Sequence, residues 1–171
     1  MLRIGMHSGR YTELIQPQTA TLRKLLIELL GPNDSTTSKR QCLERHLQFL
    51  QGFKYINASG VTALDETITA RSGNCLSLIC LLCSLLRSAG FSHHEVFASV
   101  GCLKGFHLIR MHAYAIIKNM DQDQLLIIDP EIMSVKSVDY DHLSANYSLF
   151  VLFNDQTQAS DKQGMRSLLN I

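Results

Sequence analysis

Apolar positions along this chain follow two different periods. Over residues 19–30, TATLRKLLIELL, Leu22, Leu25, Leu26 and Leu29 recur at helical intervals and Gly31-Pro32 ends the run, which predicts an amphipathic helix with one face turned to a core. The polar stretch 33–38, NDSTTS, reads as a linker. Thr37 or Ser38 can cap a second helix around 39–51, whose inner stripe is Cys42, Leu43, His46, Leu47 and Leu50. Residues 52–74 hold Gly52, Gly60, Gly73 and several Asn, Ser and Thr without a stable period; turns with a short helical piece around 62–69 are expected there. From Cys75 to Ser88 the helical period returns through Leu78, Ile79, Leu82, Leu85 and Leu86, and Gly90 fits the C-terminal cap.

Beyond that helix the period shortens. Residues 94–101 and 108–118 carry β-branched and aromatic residues in partial alternation, 124–129 (QLLIID) is a short apolar run before Pro130, and 147–153 (YSLFVLF) is another. Four strand candidates after a set of helices predict an α+β fold with an antiparallel sheet. Residues 154–163 are polar and are expected to form a mobile tail, with Met165–Ile171 able to dock as a short helix.

Composition narrows the class. A chain of 171 residues with 46% apolar residues suits one buried core, so residues 1–171 are expected to form a single domain that includes the polar tail 154–171. Sixteen Lys and Arg against 15 Asp and Glu leave a formal charge of +1, and the basic residues are scattered. Neither a nucleic-acid partner nor attraction to an anionic membrane surface is expected. The five cysteines, Cys42, Cys75, Cys80, Cys83 and Cys102, are odd in number and four of them sit in hydrophobic sequence. Reduced thiols in a cytoplasmic setting are the expectation. Neither Met1–Arg10 nor Leu76–Leu86 has the make-up of a targeting segment or membrane span.

The candidate chemistry lies where the two periods meet. Cys75 stands in Arg71-Ser72-Gly73-Asn74-Cys75, at the start of its helix. Unsatisfied N–H groups and about half a positive charge from the aligned peptides favour a thiolate there. His112 lies in a strand-like segment, and a half-buried imidazole needs a polar partner. A hairpin turning within Asn119–Asp123 brings Asp129 opposite Tyr114 or one place away, within diagonal reach of His112. The carboxylate then orients the imidazole, and its other ring nitrogen faces the thiol. Each residue also has a plain structural reading: a core thiol, a histidine bonded to a backbone carbonyl, an Asp-Pro turn former.

Residues 71–130 resemble the transglutaminase-like cysteine-enzyme superfamily. The matching pieces are Gly73-Asn74-Cys75 opening a Leu-rich helix, Leu85-Leu86-Arg87-Ser88-Ala89-Gly90-Phe91 closing it, His112-Ala113-Tyr114 in a strand, and Ile128-Asp129-Pro130 after a hairpin. The resemblance implies a papain-like core in which the cysteine-bearing helix packs on an antiparallel sheet. It places the nucleophile at Cys75, the base at His112 and the orienting acid at Asp129. Tyr114 stands where the family usually has tryptophan. The backbone N–H of Cys75 is a natural oxyanion donor; for the second donor or the pocket wall Asn57, Asn74 and Tyr114 are candidates, beside Gln51 and the hydroxyl of Tyr55. The implied reaction is cleavage of a peptide or amide bond through a thioester on Cys75, with water as acceptor and a peptide or protein as substrate.

The same residues carry two other readings. An amine in place of water makes an acyltransferase, and a silent site makes a peptide-binding or protein-binding module on the same fold. No cofactor is implied, since the glycines of Gly101-Cys102-Leu103-Lys104-Gly105 are too few and wrongly spaced for a phosphate loop. No metal is expected: Cys75, Cys80 and Cys83 do not share one helix face, and His93, His94 and His107 are scattered. Nothing in the sequence sets an oligomeric state.

Overall fold

The computed structural model describes residues 11–17, 19–30, 37–58, 60–104, 111–119 and 124–169, without the side chains of Leu30 and Asn119. The N-terminal stretch 1–10, most of the linker 33–38, His107 with the start of the 108–118 segment, the hairpin turn around 120–123 and the last two residues lie outside them.

After a 3-10 turn at Tyr11–Leu14 come two helices, α1 (Ala20–Leu30) and α2 (Lys39–Leu50). Ser38, not Thr37, caps α2: its hydroxyl accepts from Gln41 N–H at 3.2 Å, and the Gln41 side chain accepts from Ser38 N–H at 3.2 Å. The stretch with no clear period contains α3 (Leu64–Ala70) flanked by two very short parallel strands, β1 (Lys54–Tyr55) and β2 (Ser72–Gly73). The central helix α4 runs over Cys75–Ser88. It ends in a Schellman arrangement, with Gly90 N–H on Arg87 O at 3.2 Å and Phe91 N–H on Leu86 O at 3.1 Å. Gly90 takes φ +99°, where an L side chain would be strained.

The sheet has six strands, two more than the four candidates. β3 (Val96–Leu103), β4 (His112–Asn119), β5 (Gln124–Asp129), β6 (Ser134–Val138), β7 (Tyr147–Phe153) and β8 (Gln158–Ala159) are arranged β6-β5-β4-β3-β7-β8, every pairing antiparallel. β6 and β8 are its edges. Two further helices are α5 (Tyr140–Asn146) and α6 (Lys162–Leu169).

Both faces of the sheet are covered. Ala98, Val100, Ala113, Ala115, Ile117, Ile128, Val151 and Phe153 pack with α4 and, through it, with α1 to α3. Phe97, Tyr114, Ile116, Leu125, Ile127 and Leu152 form a second core with Leu143 of α5 and Met165 and Leu169 of α6. This explains the incomplete alternation of 112–118, because a strand buried on both sides has no solvent face to mark with polar residues. The small side chains of Ala113 and Ala115 face α4 and let it approach closely.

Residues 154–169, read from the sequence as a polar tail, are tied to the sheet. Asn154 is 1% exposed. Its side-chain oxygen accepts from the N–H groups of Gln156 and Thr157, both at 2.8 Å, and its amide donates to His93 O at 2.6 Å. Asp155 takes a two-pronged pair from Arg87, at 2.7 and 3.0 Å.

The buried hydroxyls of α4 also serve as anchors. Ser84 Oγ donates to Cys80 O at 2.7 Å and accepts from Gln16 N–H at 2.9 Å, while Ser77 Oγ accepts from Thr62 N–H at 2.9 Å. Segments remote in sequence are thereby fastened along one helix whose apolar residues cannot hold backbone polar groups.

Candidate active site

Cys75 opens α4, and the local sequence explains its placement. Asn74 is the N-cap: its side-chain oxygen accepts from Ser77 N–H at 2.9 Å. Its amide donates to Ala58 O at 3.1 Å and to Gly60 O, so both ends of the side chain are committed to holding Ala58 and Gly60 at the helix start. Gly73 permits this crowding. A Cβ there would lie 3.2 Å from Ser77 Cβ, 3.2 Å from Thr67 Cγ2 and 3.3 Å from Leu78 Cδ2. Asn74→Ala is therefore expected to cost about 1 to 2 kcal/mol of stability and to loosen this attachment. Thermal denaturation and proteolysis around Ala58 would measure the two effects.

His112 is the first residue of β4, and Asp129 the last of β5. The ladder runs from Asn119↔Gln124 to Ala115↔Ile128, so its next step sets Asp129 beside Tyr114 and diagonal to His112. His112 Nε2 lies 2.8 Å from Asp129 Oδ1, and that oxygen also accepts from Glu131 N–H at 2.9 Å. The thiol of Cys75 lines one cleft with the same imidazole, and each shifts the other's proton affinity. With Nε2 engaged by the carboxylate, Nδ1 is the nitrogen left for sulfur. The Tyr114 ring stands edge-on to His112 at 5.0 Å between centroids, and Tyr147 stands edge-on to Tyr114 at 5.3 Å. The imidazole is 7% exposed at its side chain and the carboxylate 25%, so the pair is largely withdrawn from solvent.

The electrostatics follow from this packing. Burial alone would push the Cys75 thiol up, but the hydrogen bond with His112, the backbone N–H groups of Ala113 and Leu76 and the imidazolium charge outweigh it, and the thiol lies below its ordinary value. Burial would likewise pull His112 down. The hydrogen bonds with Asp129 and Cys75 on either side prevail, and its pKa is pushed up to about 9. For Asp129, burial acts to raise the carboxyl, and His112 with the N–H groups of Glu131 and Ile132 holds it below the usual carboxylate range. Cys80 and Cys83, fully buried in the same helix, are pushed up by desolvation. Of the three thiols on α4, only Cys75 is biased toward the anion.

The other candidates occupy different places. Asn57 is exposed, next in the chain to Ala58, which Asn74 holds. Tyr114 is buried, and Ser99 Oγ donates to its carbonyl at 3.1 Å. Burial, with the Asp129 charge next, pushes the Tyr114 phenol up. No group of three or more His, Cys, Asp or Glu suited to a metal ion occurs among the described residues. Among those residues, too, no helix is long and apolar enough to cross a membrane.

Two clefts flank the His112–Asp129 pair. One is lined by Tyr11, Cys75, Leu76, Val100, Met111 and Ala113; the other by Leu103, Tyr114, Ile127, Asp129, Ile132, Ser134, Lys136 and Tyr147. Tyr11, Met111, Lys136 and Tyr147 were not singled out from the sequence. Tyr11 arrives from the N-terminal side, held by its N–H on Gln158 Oε1 at 3.0 Å and its ring against Phe153 at 5.1 Å. No local signal marks a residue whose place in a wall depends on such distant contacts.

No family model matches the sequence, and no curated protein matches it either. Solved structures do. Legionella pneumophila LapG superposes with a TM-score of 0.63 at 14% identity, over 99% of this chain and 97% of that one. The calcium-bound form of LapG gives 0.63 at 16%, over 89% and 86% of the two chains. A proposed cysteine protease from Cytophaga hutchinsonii gives 0.52 at 16%, over 95% of this chain and 56% of that one. The helix that begins at Cys75 and the sheet that carries His112 and Asp129 thus form the transglutaminase-like fold, shared with these structures.

Proposed function

We propose that the protein is a cysteine peptidase or amidase that works through a thioester on Cys75. The observation that carries this reading is the 2.8 Å pairing of His112 with Asp129, in a molecule where Cys75 and His112 line one cleft and shift each other's proton affinity. His112 Nδ1 takes the thiol proton, and the thiolate attacks the acyl carbon of the substrate. Negative charge develops on the acyl oxygen beside the start of α4, where the Cys75 N–H is the first donor and Asn57 the candidate second. The C–N bond breaks as the imidazolium returns its proton to the departing amine. Water, deprotonated by the same nitrogen, then cleaves the thioester and releases the acid. Asp129 keeps the proton on Nε2 throughout. Asn74 acts through position alone, since its amide is already bonded. The five cysteines are all free, which suits a reducing, intracellular setting.

The test is the pH dependence of Cys75. A depressed thiol and an imidazole pushed up to about 9 give a window in which sulfur is anionic and His112 protonated; the two titrate as a coupled pair. Alkylation by iodoacetamide is expected to be fast already at neutral pH. The rate kcat/KM on a peptide amide is expected to rise as the thiol ionises and to fall through about pH 9, because the acid that protonates the leaving amine is lost there. In His112→Ala, alkylation should follow a thiol of ordinary value. A wild-type Cys75 that alkylates no faster than a free cysteine, unchanged by His112→Ala, would exclude this mechanism.

A further inference from the structure

The two clefts beside the site differ in charge. The one on the Cys75 side is walled by Tyr11, Leu76, Val100 and Met111 and presents mostly apolar surface. The one beyond Asp129 also has apolar walls, but β6 adds Ser134 and Lys136 to it. Alternate residues of a strand share a face, and the ladder sets Ser134 opposite Asp129 and Lys136 opposite Ile127.

Lys136 is exposed, and among the described residues its ammonium has no ion-pair or hydrogen-bond partner. Arg87, by contrast, is held by Asp155, and Lys39 by Glu95. The Asp129 charge in the same cleft is already met by His112 and by Glu131 N–H, so Lys136 gives this cleft an unneutralised positive charge. At its mouth Ile132 is 70% exposed and Leu103 37%. An apolar wall with a hydroxyl and an unpaired ammonium at one side matches a group with an apolar stem and an anionic end.

We propose that the cleft between Asp129 and β6 is a substrate subsite in which Lys136 and Ser134 hold a carboxylate of the peptide. The ligand is taken to be a peptide on the strength of the peptidase reading above. The carboxylate belongs to an acidic side chain or to a chain end, since both present the same oxygens. Lys136 donates to one oxygen and Ser134 Oγ to the other, while Ile132 and Leu103 cover the stem. The site selects for acidic peptides and against basic ones near the bond presented to Cys75.

The test is binding to Cys75→Ala protein, which needs no chemistry. Short fluorescein-labelled peptides carry Glu, Gln or Lys walked through each position, each made with a free and with an amidated C-terminus. At low salt at least one peptide bearing a carboxylate is expected to bind about tenfold more tightly than its neutral counterpart, with the preference shrinking as NaCl is raised. A preference that survives amidation assigns the site to a side chain, and one lost on amidation assigns it to a chain end. Adding Lys136→Gln is expected to remove the preference and Lys136→Glu to turn it toward Lys peptides. Equal binding of charged and neutral peptides throughout, or an acid preference that persists in Lys136→Glu protein, overturns the proposal. Wild-type protein is incubated in parallel with the tightest binder. Acid-selective binding without cleavage leaves the subsite standing and removes the peptidase reading, whereas cleavage without acid selectivity does the reverse.

Discussion

Cys75→Ala is expected to abolish turnover, with a loss of about 10⁴-fold or more, while the protein keeps its fold. In the proposed mechanism no other thiol of α4 can replace it, since Cys80 and Cys83 are buried within the helix and held protonated by desolvation. Alanine suits the first turn of a helix, and the cap that organises it belongs to Asn74, so the melting temperature should change little. Peptide cleavage followed by mass spectrometry, beside a thermal melt, measures both halves. Residual activity near wild type would show that sulfur is not the nucleophile.

Asp129→Ala should lower kcat by about 10²- to 10⁴-fold through two losses. The imidazole loses the oxygen that fixes Nε2–H, and the charge that helps push His112 up to about 9 disappears. The upper limb of the pH profile should therefore move below that value. Asp129→Asn separates the two effects. Its amide oxygen can still accept from His112 Nε2–H and from Glu131 N–H, both of which meet the same Oδ1 in the wild type, so orientation survives while the charge is lost. An intermediate rate with the same downward shift of the upper limb is expected for Asn. Equal rates for Asn and Ala would show that charge, not orientation, is what Asp129 contributes.

Much of the molecule was legible along the chain. Three helices of eleven residues or more announced themselves by apolar period and by caps, with Ser38 one of two candidates for the start of α2 and Gly90 the stop of α4. Strands β5 and β7 fell where their apolar runs lie. The hairpin argument reached the observed ladder because a two-residue side-chain period leaves few registers that keep Ile127 and Ile128 buried on opposite faces. Less legible were β6, whose SVKSV is largely exposed at a sheet edge, and α5, which buries only Leu143. The polarity of 154–163 pointed to a mobile tail because composition does not reveal that Asn154 and Asp155 have partners on His93 and Arg87.

By itself the sequence determined the helix that presents Cys75, the order of Cys75, His112 and Asp129, and a resemblance confined to residues 71–130. These depend on contacts between near neighbours: turns of one helix, a cap, a hairpin. Only the tertiary structure decided that the sheet is covered on both faces, that Tyr11 and Tyr147 wall the two clefts, and that Lys136 stands there without a counter-ion among the described residues. Those features arise where segments far apart in the chain meet, and such meetings are set by the packing of whole layers, which leaves no period or spacing in the residues themselves.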